Sequence, residues 1–464
     1  MALGKRHENQ MELFVAATSM PRSPGHPFYK RLNELLKAAG FDAWVEKLCE
    51  PYYADRGRPG IPPGVYFRML LIGYFEGIDS QRGIAWRCAD SRSLQEFLGL
   101  PPTAASPDHS SLTRMRQRLP LELHQEVFAF VIKIAKERGL VKGKTLAVDS
   151  TTLEANAAMK AIVRRDTGNG WKDYVRGLAE EAGIEDPSDD DLRRFDRNRP
   201  GKKTSNKDWE SPSDPDARIA KMKDGRTHLA YKAQHAMDVD TEIITAATIH
   251  HADQSDAKIL KDSIAEVSGV MFSAGASSEF REVIADKGYH KTETLAWLAE
   301  RGIRSYVPEK RMKSHRKWTD KPATWKRAHE QNRRRVAGER SAELQRMRSE
   351  RVERSFAHTC RAGRARRTWL RGLVDVAKRY VIQVAGYNLG RIMRALFGVG
   401  TPRGLQGAGC ELLAALMAVL VLICRAISSA TRDVVANLRA AAQLVRGCRI
   451  PARQHEVTLS STGC

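Results

Sequence analysis

The sequence predicts an α/β protein: an all-helical N-terminal region followed by a mixed sheet with helices on its faces. Three observations carry this. Up to about residue 136, apolar residues recur at three- and four-residue spacings. From residue 144, short apolar runs of strand length alternate with helical segments. Two of those runs end on an acid, Asp149 and Asp286.

Within residues 24–136, the stretches 28–38 and 66–75 have helical periodicity, and the Pro- and Gly-rich stretch 56–64 separates them. Ser106-Pro107-Asp108-His109 reads as a helix start ahead of Leu112, Met115 and Leu119 at i, i+3 and i+7. Arg114, Arg116 and Arg118 fall off that apolar stripe and make a basic face, which suits a DNA-reading helix or a solvated one.

The run 144–149 reads as a strand. Residues 158–226 are polar and read as an insertion or mobile loop. Residues 228–237 and 242–250 form a predicted hairpin turning at Asp238-Val239-Asp240-Thr241. A helix is expected over 255–267, a strand over 281–286, a helix over 292–301 stopped by Gly302, and a strand over 303–307 closed by Pro308. Strand, insertion, strand, strand, helix, strand, helix, strand is the element order of a ribonuclease-H-like fold.

The 464 residues carry 77 Lys and Arg against 55 Asp and Glu, a net charge of +22, with 42% hydrophobic residues. Real cores are therefore expected, and the basic excess points to a polyanionic partner. Residues 301–380 hold 25 Lys and Arg against 8 Asp and Glu, with Trp318, Trp325 and Trp369 interleaved, as in a surface that tracks a DNA backbone. Seven widely spaced cysteines without a C-x-x-C pair predict neither a zinc ribbon nor a disulfide framework and suit a reducing cytosol. The start of the chain lacks the apolar core of a signal peptide. The longest apolar run, residues 412–424, is too short to span a membrane, so a soluble cytoplasmic, nucleoid-associated protein is expected. Residues 139–145 end in Gly-Lys-Thr but precede a strand and lack phosphate-loop spacing. His250 and His251 with Asp253 and Asp256 resemble a metal cluster, but adjacent histidines on a strand point to opposite faces, which disfavours a shared ion. His228, near the sheet edge, is a candidate phosphate contact or a structural histidine.

Three acids stand apart. Asp149 and Asp286 close two strands that should lie on one sheet edge. Glu353 lies on the basic helix beside Val352 and Phe356, the apolar pair expected to seat on the sheet. Converging carboxylates repel unless cations neutralise them. Hard oxygen ligands suit Mg²⁺, with Mn²⁺ as a substitute, and two ions ~3.5–4 Å apart clamp the oxygens of a phosphodiester.

The segments Ala147-Val148-Asp149-Ser150-Thr151, Thr227-His228-Leu229-Ala230-Tyr231-Lys232, Ala285-Asp286-Lys287-Gly288-Tyr289 and Val352-Glu353-Arg354-Ser355-Phe356, behind a Pro- and Gly-containing helical region, resemble a bacterial insertion-sequence DDE transposase over roughly residues 10–400. The resemblance implies that Asp149, Asp286 and Glu353 are the catalytic and metal-holding triad, and that the partner is double-stranded DNA, both element ends and target. A homodimer or higher assembly on DNA is implied too, with cleavage followed by joining of 3′-hydroxyl ends. Nucleases that cut without joining and transposase-derived DNA-binding proteins remain open alternatives. DNA contacts are expected from Arg114, Arg116, Arg118, Lys287, Arg346, Arg354, Arg361 and Arg364. Where many relatives carry a Lys seven residues after the Glu, this chain has Cys360, leaving Arg361 or Arg364 to substitute. The expected organisation is an extension (1–23), a helical DNA-binding domain (24–136), a catalytic domain (140–400) with the 158–226 insertion, and a helical tail (401–464).

Overall fold

A computed structural model describes residues 25–404 except 55, 58–59, 102, 201–204, 223–224, 276–279 and 312–315. The described residues up to Pro402 belong to one compact unit, which is described below. The N-terminal extension, the apolar run 412–424 and Cys410, Cys424, Cys448 and Cys464 lie outside the described residues.

Among the described residues seven α-helices come first: α1 (Pro27–Ala38), α2 (Phe41–Cys49), α3 (Pro63–Glu76), α4 (Gln81–Ala89), α5 (Arg92–Phe97), α6 (His109–Arg118) and α7 (Leu121–Glu137). Their boundaries follow local chemistry. Pro63 opens α3 where a missing N–H costs nothing, and Gly77 at φ 68° closes it. Asp108 caps α6 by accepting from the Ser110 N–H at 2.8 Å, which holds its carboxyl down at about 2. Leu112, Met115 and Leu119 are buried, as their spacing predicts.

The remaining elements are β1 (Thr145–Glu154), β2 (Val163–Arg164), α8 (Trp171–Glu181), α9 (Asp189–Asn198), β3 (Trp209–Glu210), β4 (Arg218–Lys221), β5 (Thr227–Asp238), β6 (Ile244–His251), α10 (Asp256–Ser273), β7 (Glu282–Ile284), α11 (Thr292–Glu300), β8 (Arg304–Tyr306), α12 (Ala323–Val336), α13 (Glu339–Ala357) and α14 (Leu373–Phe397). The main sheet runs β5-β1-β7-β8, with β4 and β6 both on the outer edge of β5. β1 is antiparallel to β5 and parallel to β7, and β7 is parallel to β8. This is the mixed, ribonuclease-H-like sheet the element order predicts. The long helix α14 packs on α7, α3 and β6, while α10 packs on α7 and β6, so the helical region and the sheet share one core.

Three expectations are corrected. β1 does not end at Asp149, because its ladder with β5 continues from Leu146 to Glu154. The segment 158–226 is not a mobile loop: α8 and α9 close over their own small core of Val175, Ala179 and Leu192, flanked by Trp171, Tyr174 and Phe195. A reciprocal Ser188–Asp191 capping box starts α9, and β4 joins the main sheet. Finally, the basic helix is interrupted by a π-helical turn, His358–Ala362, after which Arg364 takes a left-handed φ of 58°. Among the described residues, no helix is long and apolar enough to cross a membrane.

Candidate active site

Register brings the first two acids together. In the parallel β1–β7 ladder Ala147 is opposite Ile284, and pairing stops there. Asp149 and Asp286 each lie two residues further on, so they leave neighbouring strands at the same level and on the same face. Asp286 caps a short turn, accepting from the Gly288 N–H at 2.7 Å. A Cβ on Gly288 would come within 2.8 Å of Asp286 Oδ1 and 2.9 Å of Asp256 Oδ2, so any larger residue there would have to displace these carboxylates. Asp256, the first residue of α10, is thereby a fourth acid at the site, held by Ser150 Oγ at 3.0 Å and Lys232 Nζ at 3.1 Å. The sequence marks Asp256 only beside His250, His251 and Asp253, a metal grouping the strand geometry argued against, and otherwise an Asp at a helix start reads as a cap.

The third acid arrives through packing against β5. Opposite Asp149 in the antiparallel ladder stands His235, which is fully buried. Its Nδ1 hydrogen-bonds Ser355 Oγ at 2.9 Å, its Nε2 lies 2.7 Å from Tyr380 Oη, and Phe356 stacks on its ring at 4.1 Å. Burial pushes the imidazole down to about 3, so it is neutral. With Val352, Ser355 and Phe356 buried, α13 is seated across this face and Glu353 emerges beside the strand acids. Ser349 Oγ donates to Glu353 Oε1 at 3.3 Å.

Asp149, Asp286 and Glu353 line one open cavity of about 840 Å³, together with Asp256, Arg348, Arg361 and Arg366. Arg348 donates to Asp149 Oδ2 at 2.5 Å and supplies a counter-charge. Tyr289 is buried under the same cavity, and burial with the nearby negative charges of Asp149, Asp256 and Asp286 pushes its phenol well up. The acids offer only carboxylate oxygens, a donor set suited to Mg²⁺ or Mn²⁺. Among the described residues the group whose ligand atoms all lie within 4.8 Å of one another is a different one, His290, Glu309 and His329.

The predicted DNA contacts divide. Arg114, Arg118, Lys287, Arg346, Arg361 and Arg364 are exposed. Arg116 is not available in the same way: its side chain is 11% exposed and pairs with Asp375 of α14 at 3.1 Å. Arg354 lines the cavity but shares its charge with Glu242 at 3.1 Å and with Glu350. Of the two candidates for the position after Cys360, Arg361 faces the cavity and Arg364 does not, while Arg366, which the sequence did not single out, does. His228 lies 3.8 Å from Glu154, away from the acid cavity. Trp318 packs against His329 with ring centroids 5.2 Å apart.

Residues 142–389 match the family model described as a transposase DDE domain, and residues 19–118 match that of a transposase domain, DUF772. Neither a curated relative nor a solved structure matches the chain. The DDE match alone spans more than half of the 464 residues and contains the sheet, α13 and all three acids. The chain belongs to the insertion-sequence DDE transposases.

Proposed function

We propose that this transposase binds the ends of its own element, cuts the phosphodiester bond there and joins the freed 3′-hydroxyl to target DNA. The observation that supports it best is the convergence of Asp149, Asp286 and Glu353 on one open cavity beside Arg361 and Arg366. In this reading the three carboxylates hold the Mg²⁺ ions, Mn²⁺ substituting. When bound, such ions lower the pKa of an attacking water or hydroxyl and stabilise the departing oxygen. Arg361 and Arg366 bind the phosphate backbone on either side of the scissile bond. Arg348 holds Asp149 in place, and the buried Tyr289 closes the floor against water. Lys287, exposed next to Asp286, takes the strand that enters along the sheet edge. α6, through Arg114 and Arg118, reads element-end DNA, and a dimer or higher assembly brings two ends together.

The test is an in vitro reaction of the full chain with the DNA flanking its encoding locus, in Mg²⁺, reading cleavage and strand-joined product separately. Joined product that disappears with Asp149→Asn is expected. Cleavage without joining would make the protein a nuclease, and end binding without cleavage would reduce it to a DNA-binding protein.

A further inference from the structure

Behind the turn that carries Asp286, three side chains from three separate elements meet. His290 follows Tyr289 at the end of the turn, Glu309 lies just after β8, and His329 projects from α12. One ligand atom of each lies within 4.8 Å of the other two. His329 Nε2 and Glu309 Oε1 are 3.1 Å apart, close to the ~3.4 Å edge of a tetrahedron built on metal–ligand bonds of about 2.1 Å. The two imidazoles stand perpendicular with centroids 5.6 Å apart, which lets both aim a nitrogen at one point. His290 Nε2 is buried and has no hydrogen-bond partner, a condition native structures rarely leave unexplained.

We infer that His290, Glu309 and His329 form a binding site for a transition-metal ion of the Zn²⁺ type, separate from the carboxylate cavity. The donor chemistry selects the ion: two imidazoles and one carboxylate favour Zn²⁺ or Co²⁺, whereas Mg²⁺ keeps to oxygen and water. Arg316 is the competing cation, 3.1 Å from Glu309 Oε1, so an entering ion must share that carboxylate with it. Its place in the fold suggests what the ion does. His329 is 6% exposed on α12, and His290 is four residues from Asp286, so the ion would tie α12 to the turn that sets Asp286. This inference stands whether or not the end-joining reading holds.

The test uses the full chain, stripped with a chelator and titrated with Co²⁺ in excess Mg²⁺ to keep the carboxylate cavity occupied. One Co²⁺ per chain with the visible d–d band of a four-coordinate site is expected, displaced by Zn²⁺. His290→Gln, on the less buried of the two histidines, should weaken Co²⁺ binding at least tenfold and abolish the rise in melting temperature that Zn²⁺ produces, with the circular dichroism of the unliganded protein unchanged. The double variant Asp286→Asn, Glu353→Gln should bind Co²⁺ as the wild type does. Absence of stoichiometric Co²⁺ under these conditions, or binding that survives His290→Gln, overturns the assignment. So does binding lost only in the double acid variant.

Discussion

Glu350 and Glu353 sit three residues apart on α13 and both border the acid cavity, so only chemistry distinguishes them. Glu350 is 63% exposed and tied to Arg354 one turn on, an i, i+4 pair of the kind that stabilises a helix surface. Glu353 is flanked by the buried Val352 and by Ser355, which is anchored to His235. Glu353→Gln should therefore lower cleavage about a hundredfold or more, the scale of removing one preorganised charged group, while end binding persists. Glu350→Gln should keep most activity. A dead Glu350→Gln beside an active Glu353→Gln would mean that α13 is rotated relative to the sheet. The buried histidines make a second prediction at this scale. His235 and His124 are pushed down by burial to about 3 and about 4, from an ordinary 6.5. Below pH 6.5 the unfolded chain takes up protons that the folded chain refuses, so stability is complete above that pH and falls as pH drops toward 4. Each histidine contributes up to ~1.4 kcal/mol per pH unit across that window. Urea midpoints should fall between about pH 6.5 and 4.5, and His124→Gln should flatten the slope; a fall of equal steepness in that variant counts against His124.

At the scale of elements, the strand acids were legible because each carboxylate closes an apolar run, and a charge there has few structural reasons to be present, although β1 itself continues past Asp149 to Glu154. Other features were hidden for definable reasons. Residues 158–226 dilute Trp171, Tyr174 and Phe195 among charges, so average hydrophobicity missed a core that needs only a few large side chains. Arg364 lies eleven residues after Glu353, which on an unbroken α-helix puts it about 20° from the glutamate. The π-helical turn between them destroys that phase, and Arg361 and Arg366 face the cavity instead. Asp256 joined the site through packing, its carboxylate close to Gly288 and bonded by Ser150 Oγ, which no local sequence pattern announces. That glycine carries the element-scale prediction. In Gly288→Ala the new methyl meets both carboxylates at under 3 Å, so the carboxylates of Asp286 and Asp256 must move from their present positions. Cleavage should fall at least tenfold, with the Mg²⁺ requirement moved to higher concentration and the melting temperature changed by only a few degrees. Wild-type cleavage in this variant would show that the turn has room to spare.

For the whole molecule, the excess of 22 positive charges overstates the surface available to DNA. Several arginines of the basic segment are occupied within the fold. Arg340 pairs with Glu282 at 2.6 Å, Arg348 with Asp149, and Arg354 with Glu242. Arg351 donates to the Val239 carbonyl, and Arg335 donates to the Ser305 carbonyl at 3.0 Å and its hydroxyl at 3.2 Å. Arg333, Arg334 and Arg361 are exposed and free to meet phosphates by position. Adjacent residues of one Arg-Arg-Arg run thus have different surroundings, Arg335 bonded to Ser305 of β8 and Arg333 and Arg334 exposed. Alanine at Arg333, Arg334 and Arg361 together should reduce the slope of log affinity against log salt for non-specific DNA by about 0.9 for each phosphate that is no longer neutralised. Arg335→Ala should leave that slope unchanged and instead cost about 2 kcal/mol of folding stability, because it unpairs the buried Ser305 hydroxyl and carbonyl. Filter-binding titrations across a salt series and urea unfolding of the same two proteins decide it. If Arg335→Ala lowers the slope as much as any one of the exposed arginines does, the basic segment meets DNA by a face other than the one α12 leaves open.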